Sequence, residues 1–382
     1  MLPRLHRHPW MDDDIQAFRV LVRKFIEAEY VPHLDSWRRQ GFIPRETWRG
    51  LAQLGALLPE IDERFGGAGA SLAYQLVLTD ELARAEMPGS AGIQSIVAHY
   101  IAEYGTEEQR ARWLPRMVAG ELFAGIAMTE PGCGSDLKAM TTRARREGHE
   151  YVIDGAKTLI TNAFSGNLLV VAARTGDGGG GISLLVVETE GLPGFGLGRR
   201  LEKIGLHAMD TSELFFDGVR VPAGNLIGGE EGRGFGQLMG QLPFERILIA
   251  VEAAACIERA VELTVAYVGE RRLFGKRLAE LQNTRFKLAE CATAAHIVRS
   301  FVNDCTQRLL DGTLDCEAAY MAKWWCTEQR CRVIDECLQL FGGYGFLAEY
   351  PIGRMYADAR LSRIAGGTTE VMKDLIARRL LG

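Results

Sequence analysis

The 382-residue sequence contains no CxxC pair and no HxxxH pair. Its cysteines stand alone at Cys133, Cys256, Cys291, Cys305, Cys316, Cys326, Cys331 and Cys337, seven of them in stretches of helical pattern. That scatter argues against a disulfide framework or a zinc site and for buried free thiols in a reducing compartment. The seven histidines are equally dispersed, so no metal centre is expected. No apolar run approaches the roughly 20 residues of a membrane-spanning helix. The basic start, MLPRLHRHPW, has no apolar segment behind it and does not read as a secretory leader, so the expected location is cytoplasmic. Basic residues are not in excess: 44 Lys and Arg stand against 49 Asp and Glu, a net charge of -5, which offers no field for nucleic acid. Internal repeats are also lacking. What remains is a globular composition, 47% hydrophobic and 24% charged, in a chain long enough for two or three domains.

The pattern along the chain changes twice. Residues 1–120 carry helical spacing, as in MDDDIQAFRVLVRKFIEAEY, RETWRGLAQLGALL and SLAYQLVLTDELARA. Thr106 and Gln109 stand at capping-box spacing, and Gly120 marks a stop. Residues 121–235 turn to short β-rich runs, LFAGIAMTE, YVIDGAKTLITNA, LLVVAART, ISLLVVETE and TSELFFDGVRVP, which predict an antiparallel sheet, sandwich or barrel. Residues 236–382 return to long amphipathic helices with short breaks, the pattern of an antiparallel bundle. The expected class is multidomain α+β. The glycine cluster GDGGGG at 176–181 matches G-x-G-x-x-G formally, but it lies between two strand-like runs and opens no helix; it reads as a hairpin rather than a phosphate loop.

Three short stretches are dense in groups that approach ligands. MTEPGCGSD, 128–136, ends a strand with two glycines and the hydroxyls of Thr129 and Ser135. LITNA, 159–163, ends another strand. RRLFGKRLAELQ, 271–282, joins arginines to Phe274 between two helices, where a phosphate could be gripped. A fourth stretch, LPFERILIA at 242–250, puts Glu245 at the mouth of an apolar helix. Pro243 and an acid fit the first turn of a helix, and the helix dipole alone accounts for such a charge; the other reading is a general base in a dry pocket.

Taken together, MTEPGCGSD, KTLITN, KIGLHAMDTSELFFDGVRVP, ERRLFGKRLAELQ, QLFGGYGF and IAGGTTEVMKDLIAR resemble the acyl-CoA dehydrogenase flavoprotein family over residues 15–382. The resemblance implies an N-terminal helical domain, a middle β domain and a C-terminal four-helix bundle. It implies FAD, with Met128, Thr129, Ser135, Leu159 and Thr161 at the flavin end. Arg271, Phe274 and Gln282 would touch the cofactor of a neighbouring subunit, whose pyrophosphate and adenosine end Gln339, Gly342 and Gly343 would hold. Thr368 and Glu370 would complete the site. Such sharing implies at least a dimer, and the family is usually a homotetramer.

Many relatives carry the catalytic glutamate in an I-Y-E-G-T run, where this sequence has Ile364, Ala365, Gly366, Gly367 and Thr368. Gly366 cannot take a proton. The resemblance is closer to long-chain and isovaleryl-type members, whose base lies on the first helix of the bundle, and this assigns the base to Glu245. Arg246 would order the same end of the pocket, and Gly366 and Gly367 with Ser135 would meet the substrate, Gly366 through its N–H on the thioester oxygen. Leu159 and Ala365 are small where relatives are aromatic, which implies a roomier acyl cavity. The implied activity is dehydrogenation of a medium, long or branched acyl-CoA in fatty-acid oxidation, with electrons passed to an electron-transfer flavoprotein. The same fold also serves flavin oxidases and monooxygenases, carrier-linked dehydrogenases and silent partner subunits.

Overall fold

The computed structural model describes residues 8–87, 89–175 and 181–382. Six helices open the chain: α1 (Asp13–Glu29), α2 (Leu34–Gln40), α3 (Trp48–Gln53), α4 (Leu72–Arg84), α5 (Ser90–Tyr104) and α6 (Glu107–Val118). Local chemistry sets their ends. Asp12 caps α1 by accepting from the Ile15 N–H, and α6 starts with the Thr106–Gln109 capping box. Gly120 then turns the chain at φ 70°.

Seven strands follow: β1 (Ala124–Ala127), β2 (Arg143–Glu147), β3 (Glu150–Thr161), β4 (Leu168–Arg174), β5 (Ile182–Glu188), β6 (Phe195–Arg200) and β7 (Thr211–Pro222). They form one sheet in the order β1-β4-β2-β3-β7-β6, with β5 paired to β4. Most pairings are antiparallel as expected, but β1 runs parallel to β4, with Ala124 opposite Leu168. The β2–β3 hairpin lies between them in sequence and provides the long connection that a parallel pair requires. β4 and β5 are mostly apolar and buried along nearly their whole length because both faces are covered. Leu168, Val170 and Ala172 join the core shared with the helices, while Leu169, Val171 and Ala173 join the sheet's own core. The cluster read as a hairpin lies at 176–180, outside the described residues; the strands on either side pair antiparallel, Arg174 opposite Ile182.

The C-terminal region is built on α7 (Gly234–Glu270), α8 (Gln282–Leu310) and α9 (Cys316–Phe341), with a short hairpin, β8 (Arg272–Leu273) and β9 (Lys276–Arg277), between α7 and α8. α10 (Pro351–Ala359) and α11 (Thr369–Leu381) pack on α9. The helix expected to open at Pro243 begins at Gly234 instead, with Pro243 inside it. Proline removes one backbone donor, but Leu238 is buried and the Gln237 amide donates to the Ile227 carbonyl, so tertiary packing carries the helix through. Arg299 of α8 ties the halves together, reaching Asp80 of α4 at 2.7 Å and Glu258 of α7 at 2.7 Å. All eight cysteines are free thiols. Among the described residues, no helix is long and apolar enough to cross a membrane.

Candidate active site

Glu245 lies three turns inside α7, not in its first turn, so the helix-start account of its charge does not apply. The residue is 6% exposed. The Tyr100 hydroxyl of α5 donates to its Oε1 at 2.8 Å. Burial pushes the Glu245 carboxyl above its ordinary range, against the opposing pull of the Tyr100 hydrogen bond and the Arg246 charge. Burial and the adjacent carboxylate also hold the Tyr100 hydroxyl protonated, as a donor. The result is a desolvated carboxylate with one oxygen fixed by a neutral donor, the arrangement of a poised general base.

Arg246 points to the loop before α11. Its Nε donates to the Gly366 carbonyl at 3.4 Å, and its guanidinium lies 4.7 Å over the Tyr320 ring. Lys323, wholly buried on α9, donates to the Gly367 carbonyl at 2.5 Å. Burial and the neighbouring Arg246 charge lower its pKa to about 8. Two cations thus hold consecutive carbonyls of a loop whose glycines sit at φ 66° and 97°. Any other residue would be strained at either position. Thr368 ends the loop by accepting from the Val371 N–H, with Glu370 exposed in the first turn of α11. Arg246, Gly366, Gly367 and Thr368 are therefore drawn together by α7, α9 and the start of α11, with Glu245 next to Arg246 on α7.

A second cluster gathers at the ends of β1 and β3. The Thr158 N–H donates to the Thr129 carbonyl, and Lys157 donates to the Met128 carbonyl at 3.0 Å. The β3–β7 register slips between Lys157 and Ile160, which takes Leu159 out of the ladder. Leu159 adopts φ 60° and is 60% exposed, an apolar side chain held on open surface by a strained backbone. Gly132 and Gly134 lie at no positive φ, and a side chain there would meet nothing within 4 Å. Packing within the chain therefore does not call for glycine at either. Ser135 is exposed beside them, and Thr161 is half-buried at the end of β3.

A third cluster lies at the far end of α7. The Arg271 guanidinium stands 5.2 Å over the Tyr344 ring, and Tyr267 donates to the Phe341 carbonyl. This joins Arg271 to the turn of Gly342 and Gly343; Gln339, three residues before that turn, Phe274, between α7 and α8, and Gln282, which opens α8, are exposed. Gly342 and Gly343 also have only open space where a side chain would stand. The structure does not bring this cluster to Glu245: Arg271 is about 39 Å along the helix from it, at about 1.5 Å per residue.

Sequence reading missed Tyr100 and Lys323. The signal for Tyr100 was a polar-tipped ring in an apolar helix, which must find a partner; for Lys323 it was a lysine at a helical position facing Ala319 and Cys326.

Comparison with known proteins fixes the class. Family models described as acyl-CoA dehydrogenase N-terminal, middle and C-terminal domains match residues 12–121, 125–219 and 232–381. The chain belongs to the acyl-CoA dehydrogenase family. It is 44% identical over 370 residues to the mitochondrial long-chain specific acyl-CoA dehydrogenase of Mus musculus, covering 95% of this chain and 86% of that protein. A crystal structure of an acyl-CoA dehydrogenase from Geobacillus kaustophilus superimposes with TM-score 0.94 at 45% identity, covering 98% of this chain and 99% of that one. A glutaryl-CoA dehydrogenase from Mycobacterium smegmatis in complex with FADH2 matches with TM-score 0.90 at 28% identity, covering 97% and 95%. The chain is accordingly an oxidoreductase with FAD as its cofactor, and acyl-CoA dehydrogenation is its class of reaction.

Proposed function

We propose that the chain dehydrogenates a medium, long or branched acyl-CoA to the trans-2-enoyl thioester, with Glu245 as the base that removes the α-proton. The buried Glu245–Tyr100 pair carries this reading. When bound, FAD supplies the acceptor for the β-hydrogen and its electron pair. The rest falls to the chain. Tyr100 holds Oε1, leaving Oε2 to receive the proton. The Gly366 N–H holds the thioester oxygen, where negative charge develops as the proton leaves. Arg246 and Lys323 fix that loop through its carbonyls, and Gly367 and Ser135 flank the path of the thioester.

The flavin end lies against Met128, Thr129, Ser135, Leu159 and Thr161, which the exposed Leu159 and the uncrowded glycines support. Arg271, Phe274, Gln282, Gln339, Gly342 and Gly343 serve the cofactor of a second copy. Their separation from Glu245 along α7 supports this, and with it a homotetramer of paired dimers. Thr368 and Glu370 close the site. Domain boundaries near residues 120 and 235, electron transfer to an electron-transfer flavoprotein, a role in fatty-acid oxidation and a cytoplasmic location belong to the same reading; the eight free thiols fit a reducing compartment.

The test is anaerobic bleaching of the FAD-loaded protein by short, medium, long, branched and aromatic acyl-CoAs. Bleaching by medium, long or branched chains is expected. Silence with the whole panel, or rapid oxygen consumption on turnover, would sink the proposal.

Tyr100→Phe separates the roles in the base pair. Tyr100 hydrogen-bonds the ionised carboxylate, so its loss raises the Glu245 pKa further. The base must be ionised to act; the acid limb of kcat against pH therefore moves to higher pH, with a rate loss largest at low pH. An unmoved limb would show that Tyr100 does not bear on the base.

A further inference from the structure

Next to the base lies a second buried carboxylate that the proton transfer does not use. Glu60 follows α3 in the chain, and its side chain is 6% exposed. Two groups of α5 share its Oε1: the Ser95 hydroxyl donates at 3.2 Å, and His99, with its proton on Nε2, at 3.0 Å. The other oxygen, Oε2, is buried and has no partner among the described residues. The cluster adjoins the base on both helices. His99 precedes Tyr100 on α5, Phe244 precedes Glu245 on α7, and the His99 and Phe244 rings stack 4.2 Å apart.

A wall that meets only methylene groups gains nothing from a carboxylate. Buried polar atoms are nearly always paired, and a carboxylate oxygen without a partner is costly. A donor carried in by the ligand removes that cost. The thioester end already has its donor at Gly366, so the donor for Glu60 must stand further along the acyl chain. Resting on the dehydrogenation reading above, we infer that the acyl-CoA turned over here carries a hydroxyl group beyond the reacting carbons, and that Glu60, oriented by Ser95 and His99, accepts its hydrogen bond. His99 both aims the carboxylate and, through its stack on Phe244, joins it to the helix carrying the base. Pockets built around a substrate hydroxyl discriminate sharply against the analogue that lacks it, because their own polar groups are then left unpaired.

The experiment compares kcat/KM for plain acyl-CoAs of increasing length with the same chains hydroxylated at the terminal or penultimate carbon, using the FAD-loaded enzyme. At the length that reaches Glu60, the hydroxylated chain is expected to exceed its plain counterpart at least tenfold. Glu60→Met should bring that ratio to about one while changing kcat/KM for the plain chain less than threefold. His99→Phe, which keeps the stack on Phe244, should lower the ratio and stands in if Glu60→Met does not fold. A ratio near one at every length in the wild type overturns the inference and means that water satisfies Oε2; a preference that survives both substitutions overturns it too. Plain chains that bleach the flavin with no hydroxyl preference leave the dehydrogenation reading intact, whereas silence with every thioester ends both.

Discussion

Glu245→Gln is expected to lower kcat by about 10²- to 10⁴-fold, the contribution typical of a positioned general base. FAD content, secondary structure and thioester binding should stay unchanged. The amide is nearly isosteric with the carboxylate, and its oxygen can accept the Tyr100 hydrogen bond, so the packing between α5 and α7 survives. Only the ability to take a proton is lost. Stability should shift with pH in a direction fixed by the same burial. The folded pKa of Glu245 is raised above its unfolded value. As pH rises from the unfolded pKa toward the folded one, the unfolded chain binds fewer protons than the folded one, and the wild type loses stability. The glutamine variant does not titrate there and escapes that loss. Stopped-flow bleaching under anaerobic conditions, beside urea unfolding at several pH values, measures both effects. Bleaching at the wild-type rate in a protein shown by mass to carry glutamine would remove Glu245 from the chemistry.

Much of the candidate site was legible because its residues fall in short, dense segments. MTEPGCGSD and the glycine-rich loop before α11 needed no tertiary information to be noticed. The change from helical to alternating patterns at 121, and back near 235, likewise follows from side-chain periodicity, and it recovered the order of the three regions. What stayed hidden was made by packing. Tyr100 and Tyr104 stand four residues apart on one helix, and only the approach of α5 to α7 decides which of them meets a carboxylate. Pro243 reads as a helix start because proline favours the first turn; burial of Leu238 on the preceding turns overrode that preference. β2, with the sequence RARRE, has too few apolar residues to reveal itself, and exists because β3 presents a ladder beside it. The parallel pairing of β1 with β4 joins residues 44 positions apart, beyond the reach of any local pattern.

The largest expected loss of stability comes from a residue that no substrate touches. Lys157 and Glu130 form an ion pair at 2.9 Å with side chains 0% and 2% exposed. Burial alone would raise the Glu130 carboxyl. Hydrogen bonds from the Thr141 N–H and hydroxyl, the Thr142 N–H and Lys157 outweigh it and hold the pKa at about 2. Lys157→Met removes the cation and leaves the anion in place. Breaking a buried ion pair by removing one partner costs about 3–5 kcal/mol, so unfolding free energy measured in urea at neutral pH should fall by up to that amount, the Thr141 and Thr142 hydrogen bonds keeping part of the anion's support. The lysine also holds the Met128 carbonyl, which anchors the segment proposed to lie against the flavin. FAD should therefore wash out more readily from the variant even where it remains folded. Acid should act earlier as well. Glu130 stabilises the folded chain above its unfolded pKa, and that contribution fades as pH falls toward about 2. Without Lys157 the folded pKa rises, and the loss begins at higher pH. Pairing Lys157→Met with Glu130→Gln removes the stranded charge and should restore part of the stability without restoring the anchor on Met128. If the single variant unfolds at the wild-type midpoint, or the double variant is weaker than the single, the pair is not what holds this strand end in position.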